Sequence, residues 1–174
     1  MYNNKNRPRK SDTTDTLKFK RVALIVSEYH SEITFALRDA ARDALISRGI
    51  IGQNIPVYYV PGAYELPLAA RWALTHINPD AVVCLGCVIK GETDHNVYIN
   101  QAVAGELLRL STETGIPVLY GVLTTYNLEQ AQDRAGGAHG NKGAECAHAA
   151  VDMILLHDEM YRQGNNSIPN TKHT

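Results

Sequence analysis

Four short apolar runs recur along the chain: "RVALIVS" (21–27), "IPVYYV" (55–60), "AVVCLGCVI" (81–89) and "IPVLYGVLTT" (116–125). Each is rich in β-branched residues and bounded by turn-forming ones, so each reads as a strand. The third is almost wholly apolar, as a strand covered on both faces must be. Between the runs the apolar spacing changes. In 31–49, Ile33, Ala36, Leu37, Ala40, Ala41, Ala44 and Leu45 fall at helical intervals, and Gly49 ends them. Helices are predicted likewise over 63–76 with Pro67 in the first turn, 96–115 with Gly115 as the stop, 127–136 and 144–163. Residues 136–143, "GGAHGNKG", read as a glycine-rich loop. Strand–helix alternation of this kind predicts a single-domain, three-layer α/β/α fold. Its sheet has four parallel strands, in a flavodoxin-like arrangement.

In such sheets ligands bind beyond the carboxyl ends of the strands. The residues that follow each strand are therefore where chemistry is sought. After the first stand Tyr29, His30 and Ser31; an aromatic there stacks on a flat heterocycle, or packs locally beside a Ser31 cap. After the second comes "PGAYELP" (61–67), a tight turn into a helix. Glu65 is explained either by the helix dipole or by a ligand. After the third comes "KGETDH" (90–95). Gly91 permits a sharp turn or a close approach, Thr93 and Asp94 are candidate caps, and free N–H groups there, with Lys90 as a neighbouring cation, can meet an anion. His95 stands at the helix start, either as a proton carrier or as a surface residue. Glu92 and Asp94 repel an anion at this point, so an additional cation must come from elsewhere. After the fourth, Arg134 and Lys142 flank the glycine-rich loop, and Arg suits bidentate phosphate binding.

Other classes are disfavoured. A net charge of -1 on 174 residues gives no basic field for nucleic acid. No apolar stretch approaches the ~20 residues of a membrane span, and the start of the chain has no apolar core of a secretory signal. Three cysteines, an odd number, fit a reducing compartment, so the expected location is cytoplasmic. The pair in "CLGC" (84–87) lies three residues apart on a strand, which sends the side chains to opposite faces and argues against a shared metal. Neither G-x-G-x-x-G after the first strand nor G-x-x-x-x-G-K-[ST] is present.

In order and spacing, "VPGAYELP" (60–67), "GCVIKGETDHNVY" (86–98) and "GVLTTYNLEQAQDRAGGAHGNKGAECA" (121–147) resemble the 6,7-dimethyl-8-ribityllumazine synthase family of riboflavin biosynthesis. The resemblance covers about residues 19–160. It implies a transferase that condenses 5-amino-6-(D-ribitylamino)uracil with 3,4-dihydroxy-2-butanone 4-phosphate and needs neither a metal nor an organic cofactor. By resemblance, Tyr29 stacks on the pyrimidine. Ala63, Tyr64 and Glu65 hold the ribityl chain and nearby polar atoms. Cys87, Val88 and Ile89 contact the uracil edge through their backbone, and Tyr120 covers the ring from a neighbouring subunit. Glu92 and Thr93 meet the phosphate through their backbone, with Arg134 as its cation and Lys142 close by. His95 donates and accepts protons. Many members of the family have Asn and another residue where this chain has His30 and Ser31, and commonly Phe where it has Tyr120.

The resemblance also implies a homo-oligomer. Family members are pentamers with sites between adjacent subunits, and the short 136–143 loop matches those that assemble twelve pentamers into a 60-subunit shell. Riboflavin synthase is a further candidate partner. Residues 1–17 read as a polar tail, 18–163 as the domain and 164–174 as a second polar tail. The alternative function is a paralogue that binds flavin or lumazine without catalysis, or a shell protein.

Overall fold

The computed structural model describes residues 16–166. Four strands, β1 (Val22–Ser27), β2 (Val57–Val60), β3 (Ala81–Ile89) and β4 (Val118–Thr125), form one parallel sheet in the order β2-β1-β3-β4. Among the described residues these helices accompany them: α1 (Ser31–Ser47), α2 (Leu66–His76), α3 (His95–Thr114), α4 (Leu128–Asp133) and α5 (Lys142–Asn166). This is the expected flavodoxin-like α/β architecture.

Burial follows strand position. The two inner strands are the most apolar, with all of β1 and the first seven residues of β3 buried. The edge strand β2 leaves Tyr58 and Tyr59 exposed. Alternate residues of β1 serve two cores. Val22, Leu24 and Val26 pack with Leu37, Ala41 and Leu45 of α1 and Ala147, Ala150 and Val151 of α5. Ala23 and Ile25 pack with Leu66 and Ala70 of α2 and Val103, Leu107 and Leu110 of α3. Each fully buried Val, Leu or Ile contributes about 1.5–3 kcal/mol of transfer free energy, so both cores are needed to hold the sheet.

The helices end and begin near the predicted positions. Gly115, at φ 69°, closes α3 in the left-handed region that a side chain disfavours. A 3-10 turn over Ala63–Glu65 precedes α2, which places Pro67 in the first turn. Four local features differ from the sequence reading. Part of the 136–143 segment is a small antiparallel hairpin, β5 (Ala135–Gly137) with β6 (Gly140–Asn141). The Asn141 side chain then accepts the Gly143 N–H at 2.9 Å, capping α5 two residues ahead of its predicted start. At the other end α5 continues through 164–166. Leu17, read as the end of the tail, is buried in the α1-side core. The rest of the N-terminal tail, 1–15, and the C-terminal stretch 167–174 lie outside the described residues. Among the described residues no helix is long and apolar enough to cross a membrane.

Helices α1 and α5 touch backbone to backbone at Gly143. A Cβ built there would lie 2.0 Å from the Leu37 carbonyl oxygen, which cannot rotate away. Gly143→Ala is therefore expected to destabilise the protein by about 1–3 kcal/mol through overpacking. Urea denaturation of the variant checks this, and an unshifted midpoint would contradict the close approach.

Candidate active site

The order β2-β1-β3-β4 reverses its direction of growth at β1. The chain steps from β1 to β2 on one side, then returns past β1 to β3 on the other. Beyond the carboxyl ends of β1 and β3 the following helices leave toward opposite faces, and a crevice is left between the loops. A cleft of about 400 Å³ lies there, within the range usual for small-molecule sites.

Eight of the sequence-derived residues meet in this cleft: Tyr29, Ala63, Tyr64, Cys87, Val88, Ile89, Thr93 and His95. Tyr29 and Tyr64 stand at its walls with their rings largely exposed. Ala63 can approach the floor because the strand beneath carries Gly86. A Cβ at 86 would come within 3.4 Å of the Ala63 methyl and 3.2 Å of Leu66. His95 is the first residue of α3 and is exposed. Asp94 precedes it at the cap position but makes no side-chain cap bond, and neither does Thr93. The N–H groups of Gly91, Glu92 and Thr93 donate to no acceptor among the described residues. They are available to an anion, as at other helix N-termini. Around Gly91 itself the space is open.

The other five residues lie outside the cleft. The Glu65 carboxylate folds back across Gly62, where a Cβ would meet it at 3.1 Å. Glu92 is exposed and does not line the cleft. Tyr120 lies mid-strand, opposite Cys84, on the face packed by α2 and α3. Burial raises its hydroxyl pKa, and the hydroxyl has no hydrogen-bond partner among the described residues. Arg134 and Lys142 form a separate cluster. The Arg134 guanidinium donates to the His139 carbonyl and to the Glu145 carboxylate at 2.8 Å, and Lys142 approaches the same carboxylate at 3.4 Å. The Arg134 hydrogen bond holds the Glu145 carboxyl below the usual carboxylate range.

Sequence reasoning did not assign Gly62, His30, Asn96 or Ile99 to the site, yet all four line it. For Ile99 a signal existed, because it lies one turn from His95 on the same helix face. Among the described residues, buried side-chain oxygens without a partner are Ser27 Oγ, Asn96 Oδ1 and Asn100 Oδ1. Asn96 and Asn100 continue, toward the cleft, the inward stripe of Val103, Leu107 and Leu110.

The two cysteines of "CLGC" do face opposite ways, Cys84 into the α2–α3 core and Cys87 into the α1–α5 core. Burial pushes the Cys87 thiol up to about 11 and raises Cys84 further. Both are protonated at neutral pH and act as small apolar groups. Among the described residues no group of three or more His, Cys, Asp or Glu side chains is placed to hold a metal ion.

A parallel α/β sheet with a mostly apolar cleft at its switch point, lined by His30 and the exposed His95 and edged by free backbone N–H groups, has the features of a small-molecule site. The chain matches the family model of 6,7-dimethyl-8-ribityllumazine synthase over residues 20–158, and it belongs to that family of riboflavin biosynthesis.

The thiols predict a pH dependence of stability. Folding raises the Cys87 pKa from 9.0 to about 11, so the native state holds its proton longer than the unfolded chain. Stability is then unaffected below the unfolded value and falls as pH rises from about 9 to about 11. Urea midpoints across that range should fall less in Cys87→Ala than in the wild type. Parallel curves would contradict the assignment.

Proposed function

We propose that this chain catalyses the condensation of 5-amino-6-(D-ribitylamino)uracil with 3,4-dihydroxy-2-butanone 4-phosphate, giving 6,7-dimethyl-8-ribityllumazine, phosphate and water. The observation that carries the reading is the convergence of Tyr29, the 87–89 strand end, Gly91 and Thr93 with their free N–H groups, and His95 on one cleft, in a member of this family. In this reading the pyrimidine lies against Tyr29 with its edge on the backbone of Cys87, Val88 and Ile89. Its ribityl chain runs toward Ala63, Tyr64 and Glu65. The phosphate of the second substrate meets the backbone of Glu92 and Thr93. Those donors need no side-chain charge, so the two acidic side chains nearby do not exclude the anion.

The chemistry demands few ionisable groups. The 5-amino group adds to the ketone and water leaves as the imine forms; phosphate is eliminated; the ribitylamino nitrogen then adds to the second carbonyl and a second water leaves as the ring closes, with protons moving at carbon and nitrogen. One imidazole can assist several such steps, each by roughly 10²–10⁴-fold. Much of the remainder comes from holding two substrates in register.

The cations complete the reading only if a second chain contributes. Arg134, Lys142 and Tyr120 do not line the cleft of their own chain. We place them at the cleft of a neighbour, in a pentamer built on a fivefold axis, with twelve pentamers closing into a shell. Light scattering distinguishes a particle near five chain masses from one near sixty.

Catalysis is measured by mixing the purified protein with both substrates and following lumazine absorbance. A rate no higher than the spontaneous one would sink the proposal. His95→Ala is expected to lower kcat by about 10²–10⁴-fold with assembly intact. Arg134→Ala is expected to raise KM for the butanone phosphate by about 10-fold or more, the loss of a charge-assisted hydrogen-bonded pair. An unchanged KM would remove Arg134 from the phosphate site.

A further inference from the structure

His30 holds a backbone conformation that its side chain does not favour. It has φ 58° and ψ 49°, one of two non-glycine residues in the left-handed region among those described. Its carbonyl accepts the N–H groups of Ile33 and Thr34 at 2.9 and 3.0 Å, which starts α1. Its side chain caps nothing. A glycine would make the same turn without strain. The imidazole makes no hydrogen bond among the described residues, yet it lines the cleft. A strained residue at a ligand cleft points to a role in that cleft.

The neighbouring aromatic supplies that role. The backbone of Tyr29 is tied down, because its N–H donates to the Pro61 carbonyl at 3.2 Å and Glu28 N–H donates to Val60 at 2.8 Å. Its ring is not, being 67% exposed. The His30 ring stands against it edge-on, with centroids 4.6 Å apart at 70°, the geometry that aromatic pairs prefer. No other ring lies in such contact with Tyr29 among the described residues.

We infer that His30 is a positioning residue that fixes the Tyr29 ring in the orientation that receives the pyrimidine. This rests on the lumazine synthase reading of the cleft. The left-handed backbone is what turns the imidazole back onto Tyr29 as the helix begins. Fixing the ring before the ligand arrives removes an ordering cost from binding. The effect falls on affinity for the aromatic substrate and leaves the phosphate substrate untouched.

The test uses His30→Gly, which keeps the turn, together with Tyr29→Leu and the double variant. The probe is 6-(D-ribitylamino)uracil, which lacks the reacting 5-amino group and so binds without turnover. Isothermal titration gives its Kd, steady-state kinetics give both KM values, and thermal unfolding reports the fold. His30→Gly should weaken the probe about 2–10-fold, the worth of one aromatic pair. It should raise KM for the aminouracil alike, leave KM for the butanone phosphate unchanged, and not lower Tm. In the Tyr29→Leu background the same change should have no effect on Kd. Unchanged probe affinity in His30→Gly, or an equal loss in both backgrounds, would overturn the inference. A wild type that binds the probe but turns nothing over would refute the catalytic proposal while the affinity comparison still decides the role of His30. A wild type that does not bind the probe would overturn both.

Discussion

The reversal of strand order at β1 is the constraint on which everything else depends. Right-handed crossovers leave no choice of face once direction is set. Moving from β1 to β2 puts α1 on one face, and moving back through β3 to β4 puts α2 and α3 on the other. Two cores follow, one per face, and α5 returns to close the first. The crevice is a by-product of that packing, since no helix crosses the carboxyl ends of β1 and β3. Its lining residues are fixed by strands buried on both sides, so a site built from short loops is held by the most rigid part of the molecule.

Charge is divided between two places. The cleft has the imidazoles of His30 and His95 and backbone donors but is flanked by Glu92 and Asp94, and among the described residues no Arg or Lys lines it. The cations sit after β4, where Glu145 holds Arg134 and Lys142 together. A carboxylate that orients a guanidinium fork also neutralises part of it, which tunes how tightly the fork grips an anion. In the proposed function these two half-sites come from different chains. That arrangement would make catalysis depend on assembly without any moving part.

Much of this was legible in the sequence, for physical reasons. The inner strands are visible because burial on both faces forces an unbroken apolar run, as in 81–89. The cleft is visible because strand ends in a parallel sheet are where chain direction and free N–H groups coincide. The placement of His95 and Tyr29 in the cleft is legible for that reason. The edge strand was less clear, since β2 is shorter than its apolar run and leaves two tyrosines exposed. The β5–β6 hairpin was not found, because glycines give no alternation to read. The left-handed turn at His30 was hidden for the opposite reason: nothing in its residue type announces a positive φ as a glycine would. Leu17 was assigned to a tail from the polarity of its neighbours, although one apolar residue beside Ile50 and Ile55 suffices to join the core. Only the resemblance joins the residues of and after β4 to the other strand ends, because within one chain Tyr120, Arg134 and Lys142 do not line the cleft.

The sharing of the site between chains is tested most directly by complementation. His95→Ala chains, nearly inactive alone, and Arg134→Ala chains, about 10-fold weakened when the butanone phosphate is far below its KM, are unfolded together, refolded as mixed assemblies and assayed for lumazine formation at that low concentration. If His95 and Arg134 of adjacent copies complete one site, random mixing restores about a quarter of the wild-type sites in a cyclic assembly. Activity that stays at the level of the separate variants would contradict a site built from two chains.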